Sequence, residues 1–207
     1  ELPAYSFVPA GVDGYEPVYL DFKEMDYKER AAEAVKLYEK AGYGKDKPLD
    51  VELRYNTSDN HKRIALAVAG TWQRVFPGLK VNLVNEEWKV YLESRKAKQV
   101  TQIFRAGWIG DYNDANTFLE LWQSKSGLND TGYDSATFDQ ALKDAGQEAD
   151  ADKRKALLQK AERDLLDSPA VTAIYTYVTT HLINPKVKGL SGNVMDHTRD
   201  KYVTIEE

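Results

Sequence analysis

The residues best placed to do chemistry lie between Trp88 and Asn113. Arg95 shares the helical spacing of Trp88, Tyr91 and Leu92, where a guanidinium is costly unless it is paired or faces a wet cavity. Arg105 closes a strand-like run, Val100 to Ala106, and Asp111 follows in a glycine-bearing loop with Trp108, Gly107-Trp108-Ile109-Gly110-Asp111-Tyr112-Asn113. Each arginine, taken singly, has the alternative of an internal salt bridge, for example to Glu87, Asp111 or Asp114. Taken together, two arginines, one aspartate and two tryptophans around one strand end suit a ligand with separated positive and negative ends. Ligands of open α/β sheets bind outside the carboxyl ends of strands, so these groups are expected to gather at one sheet edge.

Other chemistries find less support. His61, His181 and His197 stand far apart without ligand-like spacing, so no metal site and no cofactor is expected. No GxxxxGK, GxGxxG or GxSxG motif is present, and Cys is absent, which excludes thiolate sites, disulfides and CxxC redox chemistry. Glu86 with Glu87, and Asp111 with Asp114, are the carboxylate pairs a hydrolase could use. Their plainer reading is a helix start and loop capping, so no catalytic residue is assigned.

The elements that must position these groups can be read along the chain. Its 207 residues are 42% apolar and 29% charged, an ordinary globular composition, and a net charge of −5 argues against a protein held to nucleic acid by phosphate contacts. No apolar run approaches a membrane span. The Pro- and Gly-punctuated stretch 1–25 reads as an irregular lead-in. Asp26 to Glu29 resembles a capping box, opening a helix that ends near Gly42. A strand over Leu49 to Tyr55 follows. Next comes a helix capped at Ser58 or Asp59, with the stripe Ile64, Val68, Trp72 and Val75, and then a strand with Leu79, Val81 and Leu83. A helix from about Glu87 to Lys98 leads into the strand that ends near Arg105. Further helices carry Phe138, Ala141, Leu142 and Ala145, then Leu157, Leu158, Ala161 and Leu165. Ala170 to Leu182 is β-prone, and Tyr202 to Ile205 reads as a last short strand. The β-α-β-α-β order predicts an α/β layer structure with at least part of its sheet parallel. One α/β lobe is expected over 26–190, with 191–207 as a C-terminal segment.

Three runs carry a family resemblance: Tyr55-Asn56-Thr57-Ser58-Asp59-Asn60-His61-Lys62, Asn85-Glu86-Glu87-Trp88-Lys89, and Arg105 to Asn113. They resemble the C-terminal portion of the oligopeptide-binding proteins, the extracytoplasmic receptors of peptide ABC importers. The resemblance extends to Arg199-Asp200-Lys201-Tyr202. It implies one lobe of a type II periplasmic-binding-protein clamshell, a mixed sheet flanked by helices. It implies short peptides as ligands, importer permease subunits as partners, a monomeric receptor, no nucleic acid and a periplasmic location. Murein peptides are the alternative ligand.

By the same resemblance Asp111 pairs with the peptide's α-amino group, Arg105 receives the carboxylate of a shorter peptide, and His61 serves a longer one. Arg95 matches a basic cleft residue, Trp88 and Trp108 line side-chain pockets, and the Gly107 to Ile109 backbone pairs with the ligand as an added strand. Ile109 stands where some relatives carry cysteine. The chain opens Glu1-Leu2-Pro3 with no signal sequence and is expected to be a fragment whose N-terminal portion, with most of the other lobe, is absent.

Overall fold

The computed structural model describes residues 1–100, 102–190 and 192–206. The chain forms two compact units, one of residues 21–107 with 130–132, the other of 1–20, 108–129 and 133–207. This differs from the single lobe expected over 26–190. The reason is packing: the lead-in segment and the late helices share one core, while the parallel sheet builds its own.

Before the sheet-bearing unit, the strand β1 (Leu2–Pro3) belongs to the other unit. The sheet-bearing unit then begins with a 3-10 turn, Asp21–Glu24, and α1 (Tyr27–Lys40). Asp26 accepts from the Glu29 N–H while Glu29 reaches back to the Asp26 N–H, the capping box that was predicted. There follow β2 (Asp50–Asn56), α2 (Asp59–Val75), β3 (Lys80–Glu86), α3 (Trp88–Lys96) and β4 (Ile103–Phe104). The strands lie in the order β3-β2-β4, all parallel, as the β-α-β-α-β reading requires. Val51 pairs with Val81 and Leu53 with Leu83, so Leu53, Tyr55, Val81 and Leu83 share a face, packed against Ala65 and Val68 of α2. The alternate residues Asp50, Glu52, Arg54 and Asn56 give the opposite face a polar character. Strand β4 is shorter than the expected Val100 to Ala106, and Thr101 lies outside the described residues. The Arg105 N–H still donates to the Arg54 carbonyl, carrying the ladder one residue further.

In the other unit, α4 (Asn116–Leu119) runs into a 3-10 turn, Glu120–Trp122, before α5 (Ala136–Ala145) and α6 (Ala151–Leu166). The predicted stripes are its core: Phe138, Ala141, Leu142 and Ala145 pack with Leu158, Ala161, Leu165 and the lead-in residues Val8, Val12 and Tyr15. Glu162, on the same helix face, is fully buried. Its Oε1 accepts from the Phe7 and Val8 N–H groups at 2.9 and 2.8 Å, its Oε2 from the Tyr15 hydroxyl and Val18 N–H at 2.6 and 2.9 Å. Burial pushes this carboxyl above its usual range, while the four donors pull it back. One side chain thus organises a segment that has no regular structure of its own.

Beyond α6, β5 (Tyr175–Thr176) pairs antiparallel with β1, and β6 (Val187–Lys188) with β7 (Thr204–Ile205). Parallel and antiparallel pairing therefore occur in separate small sheets. Within the β-prone run Ala170 to Leu182 the strand formed is β5, because β-propensity needs a ladder partner and β1 supplies only two residues. Of the expected C-terminal segment, Ser191 and Glu207 lie outside the described residues. Among the described residues no helix is long and apolar enough to cross a membrane.

Candidate ligand-binding site

In the sheet-bearing unit, His61 and Trp88 lie in the first turns of the helices that follow β2 and β3, Arg105 directly follows β4, and Arg95 lies in the last turn of α3. His61 lies in the first turn of α2, which Ser58 caps by accepting from the His61 N–H. Arg105 Nη1 donates to Asn56 Oδ1 at 3.5 Å. The His61 ring is held below its ordinary pKa of 6.5 by burial, then by the positive charge of Arg105, against a raising contribution from the Asn56 backbone. Its Nδ1 is buried with no hydrogen-bond partner among the described residues. A neutral imidazole beside a guanidinium is an arrangement that accepts negative charge readily.

Helix α3 starts immediately beyond β3, with Glu87 as its N-cap accepting from the Lys89 N–H. Trp88 is 46% exposed, stacked at 6.5 Å on Tyr91, which is fully buried. Arg95 takes the internal alternative: it pairs with Asp130 at 2.7 Å and lies over the rings of Tyr91 and Phe104 at 5.5 and 4.9 Å. Asp130 is not among the three carboxylates its sequence neighbourhood offers. Glu86 is likewise committed, to Arg54 at 2.7 Å, so Glu86 and Glu87 have separate structural roles. Gly107 follows at the end of this unit, its backbone exposed.

The other unit contributes Trp108, Ile109 and Asp111. Trp108 packs against the helical core, with its indole N–H buried and unpartnered among the described residues. Ile109 is 74% exposed. The Asp111 N–H donates to Thr117 Oγ1 at 3.0 Å, which fixes the loop onto the start of α4. The Asp111 carboxylate is exposed and has no hydrogen-bond or ion-pair partner among the described residues. Asp114 differs: Arg154 donates to both of its oxygens, at 2.8 and 3.0 Å. Burial opposes ionisation of Asp114, but the Arg154 hydrogen bonds, the Asn116 N–H and the Arg154 charge outweigh it and hold the carboxyl below its usual range. Among the described residues no three metal-ligating side chains gather.

The profile of Bacterial extracellular solute-binding proteins, family 5 Middle, matches residues 1–130. The chain belongs to that family. Over 192 residues, 93% of this chain, it is 40% identical to the periplasmic oligopeptide-binding protein OppA of Salmonella typhimurium. It is 39% identical over 189 residues, 91% of the chain, to the periplasmic murein peptide-binding protein MppA of Escherichia coli. The chain spans 35% of the length of each. The structure of Haemophilus influenzae OppA in complex with RPPGFSPFR superposes with a TM-score of 0.85 at 35% identity, covering 99% of this chain and 40% of that one. Family 5 members are solute-binding proteins, and the solved relative confirms the expected α/β periplasmic-binding-protein lobe.

The sequence reading did not find Asp130 or the role of Tyr91. The first lies 35 positions from its partner Arg95 with no local signal. The second has one, a hydroxyl on the same stripe as Arg95.

Proposed function

We propose that the chain is part of the substrate-binding component of an ABC importer, a periplasmic, non-catalytic receptor that captures short oligopeptides and delivers them to the membrane permease. The observation that carries this reading is the run from Gly107 to Asp111. Among the described residues, the backbone groups of Gly107, Trp108 and Ile109 make no hydrogen bonds, and the run ends in an unpaired carboxylate. Free backbone N–H and C=O groups beside a free anion are what an extended peptide with an α-ammonium group needs: main-chain pairing by strand addition, and a charge for its amino end. The resemblance assigns the other roles. Arg105 receives the carboxylate of a shorter peptide and His61 serves a longer one. Trp88 and Trp108 line side-chain pockets, and Arg95 matches a basic cleft residue, its charge paired with Asp130. Reading ends and backbone rather than side chains gives affinity with little sequence preference.

The test is a calorimetric cycle on the intact protein, with free and N-acetylated tripeptides against wild type and Asp111→Ala. Losing Asp111 leaves a buried ammonium unpaired, a cost of about 3–5 kcal/mol, or roughly 10²–10⁴-fold in affinity. The acetyl penalty is expected to be large in wild type and small in the variant. An equal penalty in both overturns the role of Asp111.

The near-equal identity to a murein peptide-binding relative favours one second reading, a murein-peptide receptor on the same scaffold. Mass spectrometry of ligands carried by the intact protein separates the two: mixed tripeptides and tetrapeptides support the first, a single murein peptide the second.

A further inference from the structure

Tyr91 touches three of the residues assigned to the site: Arg105, Trp88 and Arg95. Its hydroxyl hydrogen-bonds the Arg105 carbonyl, and it also lies 3.3 Å from the Arg54 carbonyl. Its ring stacks on Trp88 and lies under the Arg95 guanidinium. Burial pushes its hydroxyl up to about 12, so the group stays protonated and acts as a donor throughout the working pH range.

The geometry at Arg105 shows why that donor matters. Strand β4 is only two residues long, and Arg105 is the next residue, at the point where the ladder ends. The Arg105 N–H is held by the Arg54 carbonyl at 2.8 Å. The Arg105 carbonyl, just beyond the end of β4, accepts from the Tyr91 hydroxyl on α3, so the exit of the strand is tied to that helix. Both peptide groups of Arg105 are therefore fixed. The guanidinium beside Asn56 and His61 departs from a backbone hydrogen-bonded through both its N–H and its carbonyl. Phenylalanine would fill the same space without the bond, so the hydroxyl is an addition to packing rather than a consequence of it.

We propose that Tyr91 is a positioning residue for carboxylate recognition: its hydroxyl sets Arg105 through the main chain, while its ring seats Trp88 and Arg95. The proposal rests on the reading of Arg105 as the partner of the peptide carboxylate. The Tyr91 hydroxyl touches no ligand in this scheme, and its effect reaches the ligand through Arg105 alone.

The experiment measures, on the intact protein, the affinity of one tripeptide with a free and with an amidated C-terminus, in wild type, Y91F, Arg105→Ala and the double variant. Wild type is expected to prefer the free acid. In Y91F that preference falls about fivefold, the worth of one net hydrogen bond. In Arg105→Ala it nearly vanishes, and adding Y91F then changes it no further. The N-acetyl penalty, which Asp111 sets, stays at the wild-type value in Y91F. Because each comparison is between two ligands on one variant, a change in folded fraction cancels. A preference abolished by Arg105→Ala but intact in Y91F overturns the Tyr91 proposal alone, as does an equal weakening of both ligands. A preference that survives Arg105→Ala overturns the assignment of Arg105, and the Tyr91 proposal with it.

Discussion

Arg154 grips both oxygens of Asp114, while Asp111, three positions earlier in the same loop, is left without a partner among the described residues. Two aspartates that look alike in sequence therefore separate into one that holds the fold and one that is free to hold something else.

The first expectation follows from that division. Asp114→Asn removes a bidentate pair that is about one-third exposed and is expected to lower stability by about 1 kcal/mol, with ligand affinity largely kept. Asp111→Asn is expected to leave stability within about 0.5 kcal/mol and to weaken peptide binding at least ~10²-fold. Urea denaturation and calorimetry on the two variants measure both quantities, and the opposite assignment of effects would refute the division.

Glu162 holds three backbone N–H groups and the Tyr15 hydroxyl with no exposed surface. Glu162→Leu leaves those donors buried and unsatisfied and is expected to cost about 3–5 kcal/mol. Glu162→Gln keeps an acceptor for two of them and turns an NH₂ toward the others, for a loss of about 2–3 kcal/mol. Denaturation midpoints rank the three proteins. Proteolysis within residues 1–20 is expected to rise in the same order.

His61 supplies the pH dependence. Its folded pKa lies below the ordinary 6.5, so the unfolded chain binds the proton more readily. Stability from this group is therefore complete above 6.5 and is lost as the pH falls from 6.5 through the lowered value. Arg105→Ala removes one of the two lowering causes and is expected to move His61 upward without restoring 6.5, since burial remains. A ring-proton NMR titration of wild type and variant reads both values, and an unmoved His61 would show that the two charges do not interact.

Gly110 stands between Ile109 and Asp111, and a Cβ there would meet Phe118 Cζ and Thr117 Cγ2 at 2.9 Å. Both neighbours are buried, so neither yields freely. Gly110→Ala is expected to cost about 1–3 kcal/mol by overpacking. Because the strain falls next to Asp111, peptide affinity is expected to drop as well. A thermal melt with a peptide titration checks the pair of effects, while an unchanged melting temperature would mean the loop has room.

Local signals proved readable wherever partner and residue lie within one turn. The Asp26–Glu29 capping box, the Ser58 cap and the stripe Phe138, Ala141, Leu142 and Ala145 all stand where spacing placed them, because a helix start and a helix face are decided by residues three or four apart. The β-prone run from Ala170 to Leu182 failed the same test, because a strand exists only with a neighbour and the neighbour is at Leu2–Pro3. Arg95 could be recognised as an expensive residue on an apolar stripe, but not that Asp130 would settle its charge.

What the sequence by itself determined is the parallel β-α-β-α-β core and the family resemblance. What only the tertiary structure decided is the pairing among charges. Glu162 reaches partners 144 to 155 positions away, and Arg154 reaches Asp114 across 40. The physical reason is that a charge or a donor is satisfied by whatever folding brings within about 3 Å. Composition and periodicity report only what lies within a few residues, so they showed that Asp111 and Asp114 share a loop. It took the arrival of α6, carrying Arg154, to commit one of them and leave the other open.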